Sequence, residues 1–146
     1  RTQQSAFQRK LEQQAKSLGN RVQFTGYIPN EDLPDYYRLA DLCCVPTLVE
    51  EAAGLVAVEA MACGLPVVGS NEGGLPEFIN SQVGTLVSPE DEEAFCAAIL
   101  NELTRHHTEP ERRDIIAHYA SSNFAQAQFV AKLEQVYQRA VRAFSG

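Results

Sequence analysis

Apolar residues recur along this chain with two different spacings, and the two kinds of segment alternate. Phe7, Leu11 and Ala15 recur at helical spacing and predict an amphipathic helix over residues 4–17. Short, continuously apolar runs bounded by turn residues are typical of buried strands. Alternating strands and helices predict an α/β fold with a parallel sheet and crossover helices. The runs predicted as strands are 22–27, 42–45, 66–68 and 85–87.

Helix signals lie between and after these runs. Asn30 is followed by acidic residues and is a good N-terminal cap, so a helix is predicted over 31–40 despite Pro34. The last predicted helix, 124–144, carries an apolar stripe that needs a cover, supplied either by this domain's own core or by another lobe. The other predicted helices start at about Gly54 and stop at Gly64, or span 75–80, 90–103 and 110–121.

The most informative segment runs from Glu51 to Glu59, two glutamates eight residues apart with Gly54 between them. A helix-forming run follows Gly54, so Glu51 lies just before a helix N-terminus and Glu59 about two turns inside the helix. Glycine permits an unusual backbone angle and a close ligand approach, where the first helical turn leaves its N–H groups unpaired. Such a terminus favours phosphate, and the carboxylates would accept hydrogen bonds from hydroxyls beside it. A nucleotide sugar has this chemistry.

Further segments surround this motif between Val22 and about Val87. They read V-Q-F-T-G-Y-I-P, A-D-L-C-C-V-P-T, E-A-A-G-L-V-A-V-E-A-M-A-C-G-L-P-V-V-G-S, N-E-G-G-L-P-E-F-I and G-T-L-V-S-P-E-D. Together they resemble the C-terminal domain of family 4 retaining glycosyltransferases with the GT-B fold. The resemblance implies an incomplete Rossmann-like parallel sheet with flanking helices and a long C-terminal helix. Residues 1–146 would form a single donor-binding domain that lacks its first strands and the N-terminal acceptor lobe.

The resemblance also implies roles for individual residues. Glu51 would contact the donor sugar near the reacting centre as the catalytic residue, and Glu59 would hold the ribose hydroxyls. The family usually has Phe where Ala53 stands, so donor affinity or sugar preference is expected to differ. No metal site and no cofactor is expected. The donor-binding positions implied are Tyr27, Ile28 and Asn30 for the nucleobase, and Ala53, Gly54, Leu55 and Val56 for phosphate and sugar.

A basic segment of the resembled domain has no counterpart here. That segment reads G-R-x-x-x-x-K-G, and its Arg and Lys neutralise the donor diphosphate. In this chain Arg38 is the last basic residue before the motif and Arg105 is the next after it. Since a leaving diphosphate gains charge, this chain alone is expected to be inactive. The absent strands belong between 22–27 and 42–45, so truncation would make these two runs neighbours, unless another chain fills the gap.

Two classes of function stay open. The first is a retaining glycosyltransferase that transfers a sugar from a nucleoside diphosphate sugar to an unknown acceptor. The second is a non-catalytic nucleotide or sugar-binding module, or an inactive relative, which Ala53 and the absent basic segment favour. A GT-B epimerase or phosphorylase is a related enzymatic alternative, which the motif matches less closely.

The composition of the chain limits the classes of partner that it is expected to bind. The net charge of −7 argues against a nucleic-acid-binding surface and a general anionic-membrane surface, because both need clustered Lys or Arg. No segment approaches the ~20 apolar residues of a membrane span, and a cytoplasmic protein is expected. Peripheral membrane contact through the absent lobe is left open.

Several residues that resemble reactive or ligating groups have simpler interpretations. The four cysteines are predicted to be reduced, buried thiols, since no paired zinc-ligand spacing occurs. His106 and His107 are assigned to a polar turn, and the charge run 111–114 to a solvated helix face.

Overall fold

The computed structural model describes residues 6–48 and 54–144. The chain forms two compact units that divide between Asp32 and Leu33. The first unit contains helix α1 (Ala6–Ala15) and a 3-10 turn (Lys16–Arg21), followed by an irregular segment. The predicted N-terminal helix is confirmed over the described residues, and it ends two residues earlier than predicted, at Ala15.

The predicted strand over residues 22–27 is wrong, because the structure has no regular element from 22 to 29. Its apolar side chains have the composition of a buried strand, yet Val22 and Phe24 are exposed. A strand needs a neighbour that satisfies its backbone N–H and C=O groups. No strand of the described sheet pairs with this run, so the expectation that it lies beside residues 42–45 is not met.

The second unit is built on a three-stranded parallel sheet. Strands β1 (Cys43–Val45), β2 (Val67–Ser70) and β3 (Gly84–Val87) lie in the order β1-β2-β3. Cys44 is aligned with Val68, and Val68 with Thr85. All four residues of β2 are buried, as expected of a central strand covered on both faces. The predicted α/β class and three of the four predicted strands are confirmed.

Helices cover both faces of this sheet. Val67 on one face joins a core cluster with α3 and α6, whereas Val68 on the other face packs with Ala98 and Phe95 of α5. The strand therefore alternates its side chains between two apolar layers. The helices of this unit are α2 (Leu33–Leu39), α3 (Leu55–Ala62), α4 (Leu75–Phe78), α5 (Glu92–Thr108), α6 (Arg112–Phe124) and α7 (Gln126–Phe144).

Helix α2 begins later than predicted. Residues 30–32 form a turn, and the helix starts at Leu33, so the assignment of Asn30 as its cap is wrong. Pro34 then lies in the first helical turn, where its missing N–H costs no hydrogen bond. An acidic residue in the same turn, Asp35, complements the positive end of the helix dipole.

Helix α3 ends in a Schellman motif at the predicted glycine stop. Gly64 has φ +82°, its N–H donates to the carbonyl of Met61, and the N–H of Leu65 donates to that of Ala60. A Cβ atom on Gly64 would lie 2.4 Å from Cγ of Arg113, so the glycine also lets α6 pack closely. The end of α3 is thereby fixed against α6.

Helix α7 has no buried residue. Its predicted apolar stripe exists, since Phe129, Leu133, Val136, Tyr137 and Val141 are all exposed large hydrophobic residues. Within the described part of the chain, this domain's own core does not cover the stripe. No helix among the described residues is long and apolar enough to cross a membrane.

The charge run 111–114 is solvated only in part, because Glu111 and Asp114 are exposed but Arg112 is buried. Arg112 is only 2% exposed, and its Nη2 donates to Oε2 of the fully buried Glu102. Thr85 Oγ1 on β3 donates to the other oxygen of Glu102 at 2.6 Å. Charge alternation in sequence had suggested exposure, but a buried carboxylate on α5 supplies the partner that lets the guanidinium be buried.

Cysteine and histidine positions also differ in part from the predictions. All four cysteines are free, as predicted, but Cys44 and Cys96 are exposed rather than buried. His106 and His107 lie in the last turn of α5 and not in a loop, where their ring nitrogens are close to the negative end of the helix dipole. Burial, followed by the nearby charge of Arg113, lowers the pKa of His106.

Candidate functional site

The start of helix α3 is the part of the predicted site that the structure describes. Gly54 caps the helix in the left-handed conformation, with φ 51° and ψ 28°, and no side chain among the described residues caps the terminus. The first helical hydrogen bond runs from the N–H of Ala57 to the carbonyl of Gly54, at 2.9 Å. The amides of Leu55 and Val56 precede that bond, so no helical carbonyl is available to them. The terminus can therefore accept an anion.

Gly54 has a packing reason as well as a conformational one. A Cβ atom at this position would lie 2.9 Å from Cδ2 of Leu75 and 3.5 Å from Cδ2 of Phe78. A positive φ angle and this close contact with α4 both favour glycine. The side of Gly54 that would carry a side chain thus faces the domain, and its backbone is held against α4.

Helix α3 has one buried and one exposed side. Ala57, Ala60 and Met61 are fully buried, whereas Leu55 is 62% exposed and Glu59 is also exposed. Because Leu55 and Glu59 are four residues apart, they lie above one another on the helix surface. The side chains of the first helical residue and of the predicted ribose-binding carboxylate are therefore both exposed, one turn apart.

A tyrosine that sequence reasoning missed contacts Glu59. Tyr37 Oη on α2 donates to Oε2 of Glu59 at 3.2 Å. The ring of Tyr37 packs against the core together with Ala40 and Cys43. Burial raises the pKa of Tyr37 to about 12, with a smaller contribution from the negative charge of Glu59. The only sequence signal was helical phase, which places Tyr37 on the inward side of α2.

The C-terminal end of α2 is held by α6. Arg113 Nη2 donates to the carbonyl oxygen of Ala40 at 3.1 Å and lies 3.5 Å from that of Arg38. A cation beside the last carbonyls of a helix is favourable because it meets unpaired acceptors and the negative dipole end. The stem of the same arginine packs over Gly64. One side chain of α6 therefore fixes the ends of both helices that carry Tyr37 and Glu59.

A second concavity lies on another flank of the helix start. This cavity of about 660 Å³ contains Leu55 but not Glu59, and its lining is mainly apolar. Its lining residues are Leu55, Val58, Glu77, Phe78, Asn123, Phe124, Gln126, Phe129 and Lys132.

The other predicted site residues are placed as follows. Glu51 and Ala53 lie outside the described residues. Tyr27, Ile28 and Asn30 belong to the first compact unit, in which Tyr27 is 88% exposed, Ile28 is half-buried and Asn30 lies in an exposed turn. Among residues 6–48 and 54–144, no group of three or more His, Cys, Asp or Glu side chains is arranged to hold a metal.

The chain is similar in sequence to known proteins along most of its length. Residues 3–105 match the family described as glycosyl transferases group 1. A D-inositol 3-phosphate glycosyltransferase of Saccharomonospora viridis is 36% identical over 129 residues, which cover 84% of this chain and 29% of that protein. The chain thus spans about three tenths of the length of this curated relative.

The chain is also similar to solved structures of glycosyltransferases. Sucrose-phosphate synthase from Thermosynechococcus elongatus matches with a TM-score of 0.82 and 34% identity, over 98% of this chain and 37% of that one. HepE of Anabaena in complex with UDP-glucose matches with a TM-score of 0.67 and 29% identity, over 92% of this chain and 36% of that one. The predicted fold class and resemblance are confirmed, because the part matched is the C-terminal portion of GT-B glycosyltransferases. With most of its residues matched by the family, the chain belongs to the group 1 glycosyltransferases.

Proposed function

We propose that this chain is the donor-binding part of a retaining glycosyltransferase that uses a nucleoside diphosphate sugar. The observation that carries the proposal is the start of α3, where an N-terminus that no described side chain caps lies one turn from the exposed Glu59 carboxylate. The family match supports it, as do the solved complexes of HepE with UDP and with UDP-glucose.

The distances along α3 suit such a donor. The N–H groups of Leu55 and Val56 offer hydrogen bonds and a positive dipole end to the diphosphate. Glu59 lies one turn further, ~6 Å along the axis at 1.5 Å per residue. A carboxylate there would repel the diphosphate if it pointed at it, but it accepts hydrogen bonds from neutral ribose hydroxyls. The start of the helix is thereby suited to the diphosphate, and its next turn to the ribose hydroxyls.

Catalysis in this proposal depends on charge developing at the diphosphate. As the bond from the sugar to the diphosphate breaks, the leaving oxygen gains negative charge, which the preorganised N–H groups at the start of α3 stabilise. Glu51 orients the donor sugar and stabilises its oxocarbenium-like transition state. Arg38 and Arg105 are the flanking basic residues in sequence, so cationic groups from outside the motif must supply the remaining stabilisation.

A second candidate is a non-catalytic module that binds the nucleotide sugar without transferring it. Ala53 favours this candidate, since it replaces the aromatic residue usual in the resembled family and offers no ring to pack the loop. In this case binding persists while turnover is absent.

Donor hydrolysis by the intact protein, as the cell makes it, tests the proposal. UDP-glucose, GDP-mannose and ADP-glucose serve as donors, and Glu51→Ala is compared with Glu90→Ala, an exposed glutamate outside the site. We expect Glu51→Ala to lower kcat by about 100-fold or more, a loss typical of removing a transition-state contact. Glu90→Ala leaves kcat unchanged.

Two outcomes contradict parts of the proposal. Unchanged turnover in Glu51→Ala removes that residue from the chemistry. Calorimetric binding of a donor to the unaltered protein, with no hydrolysis and no transfer to any acceptor, favours the non-catalytic module. Absence of binding for all three donors overturns the donor-site assignment itself.

A further inference from the structure

We propose that Tyr37 is a positioning residue for Glu59, holding one carboxylate oxygen so that the other accepts a hydrogen bond from the ribose of the donor. The inference rests on the proposed donor-binding function of α3. It assigns to α2 a part in nucleotide affinity that neither the sequence motif nor the family match contains.

The contact joins two elements that are distant in sequence. Tyr37 and Glu59 are 22 residues apart, and Oη of Tyr37 lies 3.2 Å from Oε2 of Glu59. Within the described residues, Oε1 of Glu59 accepts no hydrogen bond. A carboxylate has lone pairs for about four hydrogen bonds, so one contact to Tyr37 leaves most of its accepting capacity for a ligand.

The chemical nature of the partner matters. Among the described residues, no Lys, Arg or His forms an ion pair with Glu59. A cationic partner would neutralise the carboxylate and compete for its lone pairs, whereas a neutral hydroxyl orients it and leaves the negative charge in place. Since burial and the charge of Glu59 raise the pKa of Tyr37, the hydroxyl stays protonated and donates throughout the physiological pH range.

Tyr37 is well placed to orient a mobile side chain. Its ring packs against the buried core, while Glu59 is exposed and would otherwise sample several rotamers. The end of α2 is itself fixed, because Arg113 donates to the carbonyl of Ala40. The fixed tyrosine ring therefore restricts the orientation of the Glu59 carboxylate before a ligand binds. This restriction lowers the entropic cost of binding a ribose.

The neighbouring tyrosine supplies a matched control. Tyr36 lies on the same helix but is exposed, and its hydroxyl forms no hydrogen bond within the part of the chain that the structure describes. Tyr36→Phe and Tyr37→Phe each remove one hydroxyl and keep the ring. Only the second breaks the contact with Glu59.

The test measures nucleotide binding by the intact protein. UDP, GDP and ADP are titrated by calorimetry, and the one that binds most tightly becomes the probe, together with its 2′-deoxy and 3′-deoxy forms. We expect Tyr37→Phe to weaken the probe about threefold to tenfold, since the hydrogen bond is of moderate length and partly exposed. Tyr36→Phe leaves the affinity unchanged.

Positioning of Glu59 and a purely structural role of Tyr37 predict different patterns of nucleotide affinity. If the tyrosine positions Glu59, the affinity ratio between the probe and its weaker deoxy form shrinks in Tyr37→Phe. The double variant Tyr37→Phe/Glu59→Gln then binds no more weakly than Glu59→Gln alone. For the sugar donor, KM rises about threefold to tenfold while kcat stays within about twofold, because ribose contacts act equally in the ground and transition states.

Two results overturn the inference without touching the proposed function. One is a Tyr37→Phe variant that binds the probe and its deoxy forms as the unaltered protein does. The other is a loss of affinity with an unchanged deoxy ratio, accompanied by a lower melting temperature, which reflects helix packing. By contrast, failure of the unaltered protein to bind UDP, GDP or ADP overturns the proposed function, and this inference with it.

Discussion

Two glutamates in the second unit have opposite surroundings. Glu102 on α5 is 0% exposed and is bonded to Arg112 of α6 and to Thr85 of β3, with Arg105 Nη1 at 3.6 Å. Glu59 on α3 is exposed and, among the described residues, receives a single hydrogen bond, from a neutral hydroxyl.

The difference shows how one residue type serves two purposes. A buried charge loses its hydration, so it is tolerated only where protein groups replace the lost water contacts. Glu102 meets that condition and joins three elements of the fold. Glu59 keeps its hydration and most of its accepting capacity, and a ligand hydroxyl can replace the water. The exposed carboxylate is the one available for binding.

Breaking the buried pair is the largest expected effect. We expect Arg112→Ala to lower the free energy of unfolding by about 3–5 kcal/mol, since it removes the buried cation and leaves Glu102 with only the longer contact to Arg105. Urea denaturation of the intact protein, followed by circular dichroism, measures the change. A loss below about 1 kcal/mol would show that Glu102 does not depend on Arg112.

A double variant sharpens that result. Nε and Nη1 of Arg112 are buried and have no hydrogen-bond partner in the described structure, so the pair is incompletely satisfied. Replacing both charges, as in Glu102→Leu/Arg112→Met, should recover much of the stability lost in the single variant. A double variant less stable than Arg112→Ala would contradict this account.

Gly64, at the C-terminal end of α3, tests how far the stability of the protein depends on the packing of this helix against α6. Gly64→Ala places Cβ 2.4 Å from Cγ and 2.8 Å from the carbonyl oxygen of Arg113, at φ +82°. We expect a loss of more than about 2 kcal/mol, since strain and a backbone clash add. The melting temperature measures it.

Gly26→Ala is its control. Gly26 also has a positive φ angle, +69°, but nothing lies within 4 Å of its added Cβ. It should cost only the conformational term, ~1 kcal/mol. Equal losses at the two glycines would show that the contact with Arg113 has no cost.

The titration of Tyr37 tests the environment of Glu59. With its pKa raised to about 12 in the folded protein, against about 10 for an ordinary tyrosine, Tyr37 should ionise at a higher pH than an ordinary tyrosine does. Since the folded-state pKa is the higher one, the contribution to stability is complete below pH 10 and is lost as the pH rises towards 12.

The ultraviolet absorbance of ionised tyrosine, followed as the pH is raised, measures this titration. Tyr37→Phe should remove the component that titrates near pH 12. Glu59→Gln should lower that component only in part, because burial is the largest cause of the shift. No change at all in Glu59→Gln would argue against the contact.

The smallest expected effect on stability is at Glu59 itself. Glu59→Gln should change the free energy of unfolding by no more than about 0.5 kcal/mol, as at other exposed positions. Nucleotide affinity should nevertheless fall. A destabilisation as large as that of Arg112→Ala would abolish the contrast between the two glutamates.

The sequence predicted the strands of the second unit well because each is a short apolar run between turn residues. It failed at residues 22–27, where composition favours a strand but no described strand pairs with it. Strand formation depends on a neighbour, which composition does not reveal.

Of the candidate site, the sequence predicted the helix start at Gly54 and the position of Glu59 on the same helix. It did not predict Tyr37 or Arg113, because contacts across 22 residues or more depend on how helices pack. It also mistook Arg112 for a surface residue, since its partner Glu102 lies on another helix. The sequence therefore predicted roles that depend on local conformation, but not roles that depend on contacts between residues distant in the chain.

The division of α3 into a buried and an exposed side has an evolutionary consequence. Ala57, Ala60 and Met61 bear on the core, whereas Leu55, Val56 and Glu59 do not. Selection can therefore alter the ligand-facing positions one at a time while the fold stays intact. Under the proposed function, the eight residues of this helix let the donor-facing positions change while the packing that holds the fold stays the same.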